Sequence, residues 1–308
     1  MNVAVIGAGR TNNGIGRFIG KFFQKHGANV SAVLGSTDES ARKAAEALEH
    51  DGRVPRSYTK IDTLTNKECP DIAVIASPTN THLPYLKACI DAGLHIFCEK
   101  PFIDPATPDI LGCLDKIFQD GEHRRLTIAM NSQCPFLQPV YERFCGQIRP
   151  EAAVDFSIAL SPMVDGQDMI PDSVPHALSL IYNLLGNGEI GDLRIEKREG
   201  QITILGIYRA HTTDCNFKIC LNRHLQQPRP FSFGWNHCTI HRRVTLKPYE
   251  ISFQYEDTIR KVADPLELSV QNFIASVQKQ EQPKIGRTHI VDTTLLIKRI
   301  FDHWESSE

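Results

Sequence analysis

The run Asp71-Ile72-Ala73-Val74-Ile75-Ala76 decides the fold class of this sequence. It is apolar at consecutive positions, as a strand must be when helices cover both faces of its sheet. Helix patterns over about 81–92 and 107–118 follow it, and strand patterns over 94–98 and 126–130 alternate with them. Alternation of this kind predicts a parallel sheet with helices on both faces.

The same alternation extends upstream to the start of the chain. Residues 2–6 form a short apolar strand, a helix pattern covers 15–23, and a second strand covers 30–34. A further helix is predicted to begin at an Asp38 N-cap. Residues 1–130 are therefore predicted to form a doubly wound Rossmann domain.

The chain changes character beyond residue 130. Strand patterns follow one another with short turns from about 192 to 255, which favours an antiparallel sheet. Further helices are predicted over 172–186, 265–280 and 289–304. We therefore predict a second α+β domain over residues 131–308, with a mostly antiparallel open sheet. Its C-terminal helices can pack back on the first domain.

The composition of the 308 residues is that of an ordinary globular protein, with 41% hydrophobic and 23% charged residues and a net charge of −2. With so little net charge, we expect neither nucleic acid nor an anionic membrane as a partner. We find no apolar stretch of the roughly 18–20 residues that cross a bilayer, and the N-terminus lacks the pattern of a secretory signal. These observations predict a cytoplasmic location.

Nine cysteines are scattered along the chain, and none of them forms a Cys-x-x-Cys pair. Because a disulfide framework or a zinc site needs tighter grouping, we predict buried free thiols and no metal site. The basic run His241-Arg242-Arg243 fits a solvated face or a strand edge.

A glycine-rich turn follows the first strand: Gly7-Ala8-Gly9-Arg10-Thr11-Asn12-Asn13-Gly14-Ile15-Gly16. Dinucleotide folds need a glycine at the tight turn, a glycine under the pyrophosphate, and a small residue where the helix meets the strand. Gly7 and Gly9 suit the first two positions, and either Gly14 or Gly16 suits the third after a short insertion. Together with Arg10 they form the predicted phosphate loop, and a purely structural turn is the alternative.

The end of the second strand bears on which nucleotide binds. An acidic residue there would accept hydrogen bonds from the ribose of NAD, but this strand ends in Leu34-Gly35-Ser36-Thr37. The side chains of Ser36, Thr37 and Arg42 are suited to hold a 2′-phosphate. The sequence therefore favours NADP(H) and leaves NAD(H) possible. The alternative for Arg42 is an exposed helix residue.

Two stretches around the central strand carry a family resemblance. They read Ala76-Ser77-Pro78-Thr79-Asn80-Thr81-His82 and Ile96-Phe97-Cys98-Glu99-Lys100-Pro101. With their flanking residues, they resemble the Gfo/Idh/MocA oxidoreductase family, which includes glucose–fructose oxidoreductase and inositol dehydrogenases. The match is dense over residues 70–103 and looser elsewhere. The resemblance implies an NAD(P)-dependent oxidoreductase that acts on CH–OH groups of a sugar, polyol or related small molecule.

The resemblance also implies which residues of these stretches meet the cofactor: Ser77, Pro78, Asn80, His82, Glu99 and Lys100. In the family the peptide bond between Lys100 and Pro101 is commonly cis. Because strand C-termini face the ligand crevice of a doubly wound sheet, Lys100 is also placed to assist proton transfer. Taken alone, Lys100 would be interpreted as a surface lysine before a turn proline, but the preceding run argues against that alternative.

The second domain contains a matching pair, Asp172 and His176. Residues four apart share one face of a helix, and the family shows an Asp-x-x-x-His pattern on a helix that faces the nicotinamide. Because imidazole exchanges a proton near neutrality, we predict His176 as the acid/base and Asp172 as the residue that orients it or the substrate. The alternatives are a helix N-cap for Asp172 and a structural, partly buried histidine for His176. Pro175 and Ser179 depart from the family pattern and indicate a modified substrate pocket.

Other polar residues are open to substrate recognition or to plain solvation: Asn131, Gln133, Arg209, His211, Arg223, Trp235 and His237. The resemblance further implies a homo-oligomer formed through the C-terminal sheet. Two other functions stay open, a non-catalytic NAD(P)-sensing regulator and a reductase of a biosynthetic imine or keto intermediate. Because a sensor needs no proton relay, the presence of Lys100, Asp172 and His176 argues against the first.

Overall fold

The computed structural model describes residues 1–9 and 14–306. The chain divides into two compact units. The first comprises Met1–Asn131 and Leu266–Val291, and the second comprises Ser132–Pro265 and Asp292–Glu308. Each unit has its own sheet and is described by itself.

The sheet of the first unit has six strands in the order β3-β2-β1-β4-β5-β6. The strands are β1 (Asn2–Ile6), β2 (Asn29–Leu34), β3 (Arg56–Tyr58), β4 (Ile72–Ile75), β5 (His95–Glu99) and β6 (Ile128–Asn131). All neighbouring strands pair in parallel. The strand order reverses between β1 and β4, and ligands of doubly wound sheets bind at that switch point. The predicted Rossmann fold is confirmed.

Helices cover this sheet on both faces. They are α1 (Gly16–Lys25), α2 (Asp38–Ala47), α3 (Ile61–Glu68), α4 (His82–Asp91), α5 (Ile110–His123), α8 (Pro265–Lys279) and the start of α9 (Arg287–Glu305). A cluster of three buried aromatic rings ties α8 to the sheet. The ring of Phe273 lies 5.1 Å from that of Phe97 and 6.2 Å from that of Phe23, measured between centroids.

The N-cap of α2 is Thr37, so the prediction that Asp38 caps this helix is wrong. Thr37 Oγ1 accepts a hydrogen bond from the Ser40 amide at 3.1 Å, and Ser40 Oγ accepts one from the Thr37 amide at 3.1 Å. This reciprocal capping box satisfies two helix-end donors. Asp38 and Glu39 lie in the first turn, where a negative charge is favourable.

The sheet of the second unit has eight strands in the order β14-β13-β12-β11-β7-β10-β9-β8. They are β7 (Asp155–Leu160), β8 (Gly188–Arg198), β9 (Gln201–Ala210), β10 (Asp214–Asn222), β11 (Ser232–Trp235), β12 (Cys238–Leu246), β13 (Tyr249–Tyr255) and β14 (Thr258–Val262). Strands β7 and β10 pair in parallel, and the other neighbours pair antiparallel. The predicted mostly antiparallel sheet is confirmed.

The rest of α9, from Asp292, belongs to the second unit together with two whole helices, α6 (Gln138–Cys145) and α7 (Met169–Leu185). Both pack on the face of the sheet that carries its buried apolar side chains, among them Phe156, Phe233 and Phe253. The helix predicted to begin at 172 begins at Met169, so Asp172 lies inside its first turn and is not the N-cap.

One prediction about the cysteines is wrong. Cys145, at the end of α6, and Cys238, at the start of β12, form a disulfide with a Cα–Cα distance of 6.0 Å. The other seven cysteines are free thiols. The two partners are 93 residues apart in sequence, so spacing along the chain carried no signal of their pairing.

The described part of the chain contains no helix that is both long and apolar enough to span a membrane. Across residues 1–9 and 14–306, no three or more His, Cys, Asp or Glu side chains come together as a metal site.

Candidate active site

The turn after β1 is built around Gly7. Its φ is +86°, a left-handed value that side chains disfavour. A Cβ at this position would lie 2.6 Å from the backbone Cα and N of Ser77. The Gly7 amide donates to the Leu34 carbonyl at 2.9 Å. The turn therefore passes tightly between the ends of β2 and β4, and glycine is the residue that fits.

Two further glycines allow close packing around this turn. A Cβ on Gly9 would lie 2.7 Å from the Ser40 carbonyl oxygen, and a Cβ on Gly16 would lie 3.1 Å from Ala76 Cβ. Gly16 is the first residue of α1 and is buried, so it occupies the position where helix meets strand. Gly14 is partly buried just before it. The predicted contact of Arg10 lies outside the described residues.

The N-terminus of α1 fits an anion. Its cap position, Ile15, supplies no side-chain hydrogen bond, and the first turn of this fully described helix holds no acidic residue. The first amides of a helix have no partner within the helix and carry partial positive charge. A pyrophosphate is the kind of group that such an end accepts.

The side chains that follow β2 are exposed to solvent, and one of them is hydrogen-bonded in the N-cap of α2. Ser36 and Thr37 are exposed, and Thr37 Oγ1 serves the α2 cap. Arg42 points along the helix to Glu46, with an Nη1–Oε1 distance of 2.6 Å, and both side chains are more than half exposed. Such an exposed i,i+4 pair is worth little, typically ~0.3–0.5 kcal/mol.

The end of β4 carries the Ser77-to-His82 turn. Ser77 is buried, and its hydroxyl accepts a hydrogen bond from Thr81 Oγ1 at 2.7 Å. Pro78 and Asn80 are exposed on the same turn. The turn therefore presents Pro78 and Asn80 at the carboxyl edge of the sheet, next to Gly7.

His82 lies beneath this edge with 1% of its surface exposed. Its Nδ1 lies 2.9 Å from the Pro101 carbonyl oxygen, and its Nε2 lies 3.0 Å from the Ser77 carbonyl oxygen. The adjacent Cys98 thiol is uncharged, since burial raises its pKa well above the usual value. With both ring nitrogens facing main-chain carbonyls, His82 joins the turn after β4 to the turn after β5.

Replacing His82 should therefore loosen both turns. We expect His82→Gln to lower the free energy of unfolding by about 1–3 kcal/mol, because a buried carbonyl loses its partner. Denaturant unfolding followed by circular dichroism measures the change. His123→Gln, at an exposed position of α5, is the control and should leave the midpoint unchanged. An unchanged midpoint for His82→Gln would mean that the ring does not hold the turns.

Glu99 and Lys100 end β5 at the same edge. Glu99 is 9% exposed, and its carboxylate accepts a hydrogen bond from the Asn131 side-chain amide, at the end of β6. Glu99 and Asn131 also face each other in the sheet register. Lys100 is partly buried, and its bond to Pro101 is cis, as the resemblance implies. The buried carboxylate is thus anchored beside the lysine.

In the second unit, Asp172 and His176 lie in the N-terminal half of α7 and are both partly buried. Asp172 Oδ2 accepts a hydrogen bond from Ser173 Oγ at 3.1 Å. Ser179 is fully buried, and its hydroxyl has no hydrogen-bond partner among the described residues. Pro175 removes an amide from the helix interior. The structure places this pair in the second unit and Lys100 in the first.

The other polar residues named from the sequence fall into different environments. Arg209 pairs with Asp192 at 3.0 Å on an exposed face, and Arg223 pairs with Asp165 at 3.3 Å. Trp235 is buried in the core of the second unit. Asn131 is the one shown to contact a predicted site residue.

Comparison with known proteins identifies the first unit. Residues 1–109 match the family model GFO_IDH_MocA, described as an oxidoreductase family with an NAD-binding Rossmann fold. These residues are a Gfo/Idh/MocA domain. An inositol 2-dehydrogenase from Corynebacterium glutamicum is 34% identical to the chain over 117 residues, which is 35% of this chain and 29% of that protein.

A UDP-N-acetylglucosamine 3-dehydrogenase from Acidithiobacillus ferrooxidans is 31% identical over 112 residues, or 36% of this chain and 32% of the relative. The chain thus aligns with about a third of the length of these curated Gfo/Idh/MocA relatives. The solved structure of that dehydrogenase superposes over 97% of this chain and 96% of its own, with a TM-score of 0.71 and 19% identity.

A 3-ketoreductase from Actinomadura kijaniata, solved with NADP and TDP-benzene, superposes over 97% of this chain and 96% of its own. Its TM-score is 0.68 and its identity 14%. At such identities these structures show that the Gfo/Idh/MocA fold extends through both units.

Proposed function

We propose that the protein is an NAD(P)-dependent oxidoreductase that acts on the CH–OH or carbonyl carbon of a sugar, a polyol or a related small molecule. The observation that carries the proposal is the carboxyl edge of the first sheet. There the Gly7 turn, the Pro78–Asn80 turn and the Glu99–Lys100 strand end meet on a domain of an oxidoreductase family. The relatives named as sugar and polyol dehydrogenases support the substrate class.

The residues of the first unit fit a dinucleotide. The glycine turn after β1, which lies tightly against the Ser77 and Ser40 backbone, leads into the uncapped start of α1, and a helix start of this kind suits a pyrophosphate. Pro78, Asn80, Glu99 and Lys100 would border the nicotinamide end. When bound, the nicotinamide supplies a carbon that accepts or donates hydride.

The chain's own contribution is binding and proton transfer. We assign the exchange of the substrate hydroxyl proton to His176, whose imidazole suits transfer near neutral pH. Lys100 assists as a proton relay and positions the substrate oxygen, and Asp172 orients the imidazole or the substrate. Glu99, held by Asn131, fixes the strand end from which Lys100 extends. His82 is assigned to holding the two turns, and not to direct contact with the cofactor.

Turnover separates this function from the two alternatives. The protein is incubated with NADP⁺ or NADPH and a panel of sugars, polyols and their keto forms, and the absorbance of reduced nicotinamide is followed. We expect turnover with a member of this panel. Tight cofactor binding without turnover of any member would favour the sensor. Turnover of imine and keto intermediates alone would favour the biosynthetic reductase.

We further propose that NADP(H) is the preferred cofactor and that Ser36 and Thr37 hold its 2′-phosphate. Both residues are exposed beside the N-terminus of α2, which favours negative charge. The Thr37 hydroxyl would exchange the hydrogen bond that it donates to Ser40 Oγ for one to the phosphate. Arg42 is left out of this proposed contact, since its guanidinium is directed to Glu46.

A charge substitution tests the nucleotide preference. The wild type should bind NADPH more tightly than NADH, and Ser36→Asp should reverse the order. A carboxylate beside the 2′-phosphate costs at least about tenfold in affinity, since juxtaposed like charges cost several kcal/mol. Fluorescence titration of both reduced cofactors measures the ratio. Arg42→Ala is the matched control and should keep it. A wild-type preference for NADH contradicts the proposal.

The oligomeric state and the cellular location are also proposed. We propose a homo-oligomer that forms through the open face of β8, β9 and β10, where side chains such as Thr203, Leu205 and Lys218 line a shallow depression. Sedimentation equilibrium tests it, with a monomer as the contradicting result. A cytoplasmic location rests on the sequence alone.

A further inference from the structure

The second unit holds an unusual charged side chain on the buried face of its sheet. Arg242 lies on β12 between Ile240, which belongs to the core cluster, and Val244, which packs against it. It is paired directly opposite the buried Phe253 of β13. Alternate residues of a strand share a face, so Arg242 lies on the core-facing side. Its neighbours His241 and Arg243 are exposed on the other side. The basic run is therefore not a uniformly solvated face.

The guanidinium of Arg242 is incompletely satisfied. Its Nη2 donates to the Arg229 carbonyl at 2.9 Å, and its carbon lies 5.2 Å from the centre of the Phe231 ring. Its Nε is buried and has no acceptor among the described residues. A partly buried cation is normally paired with an anion, because its desolvation is costly. Here the partners are a carbonyl and an aromatic face.

A second arginine adjoins the first. Arg229 precedes β11, is partly buried, and donates from Nη1 to the Ser161 carbonyl at 3.3 Å. Neither arginine forms an ion pair with a carboxylate among the described residues. The charge of Asp264 affects the pKa of Arg242, but the two side chains are not within ion-pair distance. Burial lowers the pKa of the Arg242 guanidinium, and the charge of Arg229 adds to this effect. Two adjacent cations that form no ion pair within the described residues are suited to an anion.

The position of the two arginines connects them to the proposed reaction. Ser161 directly follows β7, and the chain from there leads into α7, which carries Asp172 and His176. Arg242 lies two strands from β7, roughly 10 Å at the usual strand spacing. Ser232 pairs with both Ala159 of β7 and His241 of β12, so Arg242 is at the end of the sheet where the chain leaves β7 towards α7.

We propose that Arg229 and Arg242 bind the anionic group, a phosphate or a carboxylate, of the substrate. Guanidinium groups match the oxygens of both anions through paired hydrogen bonds. The proposal rests on the proposed oxidoreductase function for the identity of the ligand as substrate, and it narrows the substrate class to sugars or polyols that carry a negative charge.

Calorimetric titration of the full chain tests the site. NADP⁺ binding is measured first by itself, so that loss of the proposed cofactor function is recognised separately. The protein saturated with NADP⁺, whose phosphates occupy the cradle of the first unit, is then titrated with UDP, with glucuronate and with neutral myo-inositol. We expect at least one of the two anions to bind. UDP binding alone identifies a phosphate site, and glucuronate binding alone identifies a carboxylate site.

The variants decide whether the arginines are responsible. Arg242→Gln and Arg229→Gln should each weaken anion binding roughly 10–100-fold, as expected when a charge-assisted hydrogen bond is lost. Arg243→Gln, one residue away on the exposed face, should bind as the wild type does. If Arg242→Gln does not fold, Arg229→Gln and the conservative Arg242→Lys carry the test. Absence of binding by both anions, or binding unchanged in Arg229→Gln and in the folded Arg242 variant, overturns the proposal.

Discussion

Lys100→Ala is expected to lower the rate of substrate turnover by about 10²–10⁴-fold, the usual contribution of a positioned proton-transfer group. Lys100 is partly buried at the end of β5, and the preceding carboxylate is anchored by Asn131. Because the proposed pyrophosphate contacts lie on other residues, cofactor affinity should change by much less than the rate. Steady-state kinetics and a cofactor titration on the same preparation measure both quantities.

Two further variants test whether the loss of rate in Lys100→Ala reflects the proposed proton relay. Lys87→Ala, at an exposed position of α4, should keep the wild-type rate. His176→Gln keeps hydrogen-bonding capacity but cannot exchange a proton in the physiological range, so it should show a loss of similar size. Full activity in Lys100→Ala or in His176→Gln would remove that residue from the proposed proton relay.

Gly7→Ala is expected to abolish measurable cofactor binding and to destabilise the first unit. A non-glycine residue in the left-handed region costs roughly 1–2 kcal/mol. The new Cβ would in addition lie 2.6 Å from the Ser77 backbone, so the turn must move away from β4. The movement would displace the start of α1, whose amides are proposed to bind the pyrophosphate. Thermal unfolding and NADPH titration measure the two effects.

Gly27→Ala is the matched control for this prediction. Gly27 has nearly the same φ, +81°, but a Cβ there would meet no atom within 4 Å. It should therefore show only the conformational cost of roughly 1–2 kcal/mol and keep cofactor affinity. Equal behaviour of the two variants would mean that the contact with Ser77 has no part in forming the cradle.

The sequence predicted the Rossmann sheet because its strands are consecutive apolar runs separated by helical periods. β4, which is buried at every position, is the clearest case. It did not predict β11 or β14. β11 has four residues and contains Gly234, and four of the five residues of β14 are exposed. Such short or solvated strands are fixed by pairing with their neighbours, which leaves little pattern in the local sequence.

The site residues also differ in whether the local sequence predicts their role. Gly7 and Lys100 were visible from the sequence because a turn and a strand end have local signatures. The roles of His82 and Arg242 were not, since each depends on partners brought together by the fold. His82 contacts a carbonyl 19 residues away, and the basic run around Arg242 by itself indicates a solvated face or a strand edge. The alternation of His241, Arg242 and Arg243 across a strand was the available signal.

Transfer of deuterium tests the central claim most directly. Reduced NADP carrying deuterium at the hydride-donating carbon is incubated with the protein and the keto forms of the sugar and polyol panel, including charged members, and the products are examined by mass spectrometry. We expect a product that gains one deuterium at the former carbonyl carbon, formed about 10²–10⁴-fold more slowly by Lys100→Ala. Tight binding of the cofactor with no deuterium in any product would contradict it.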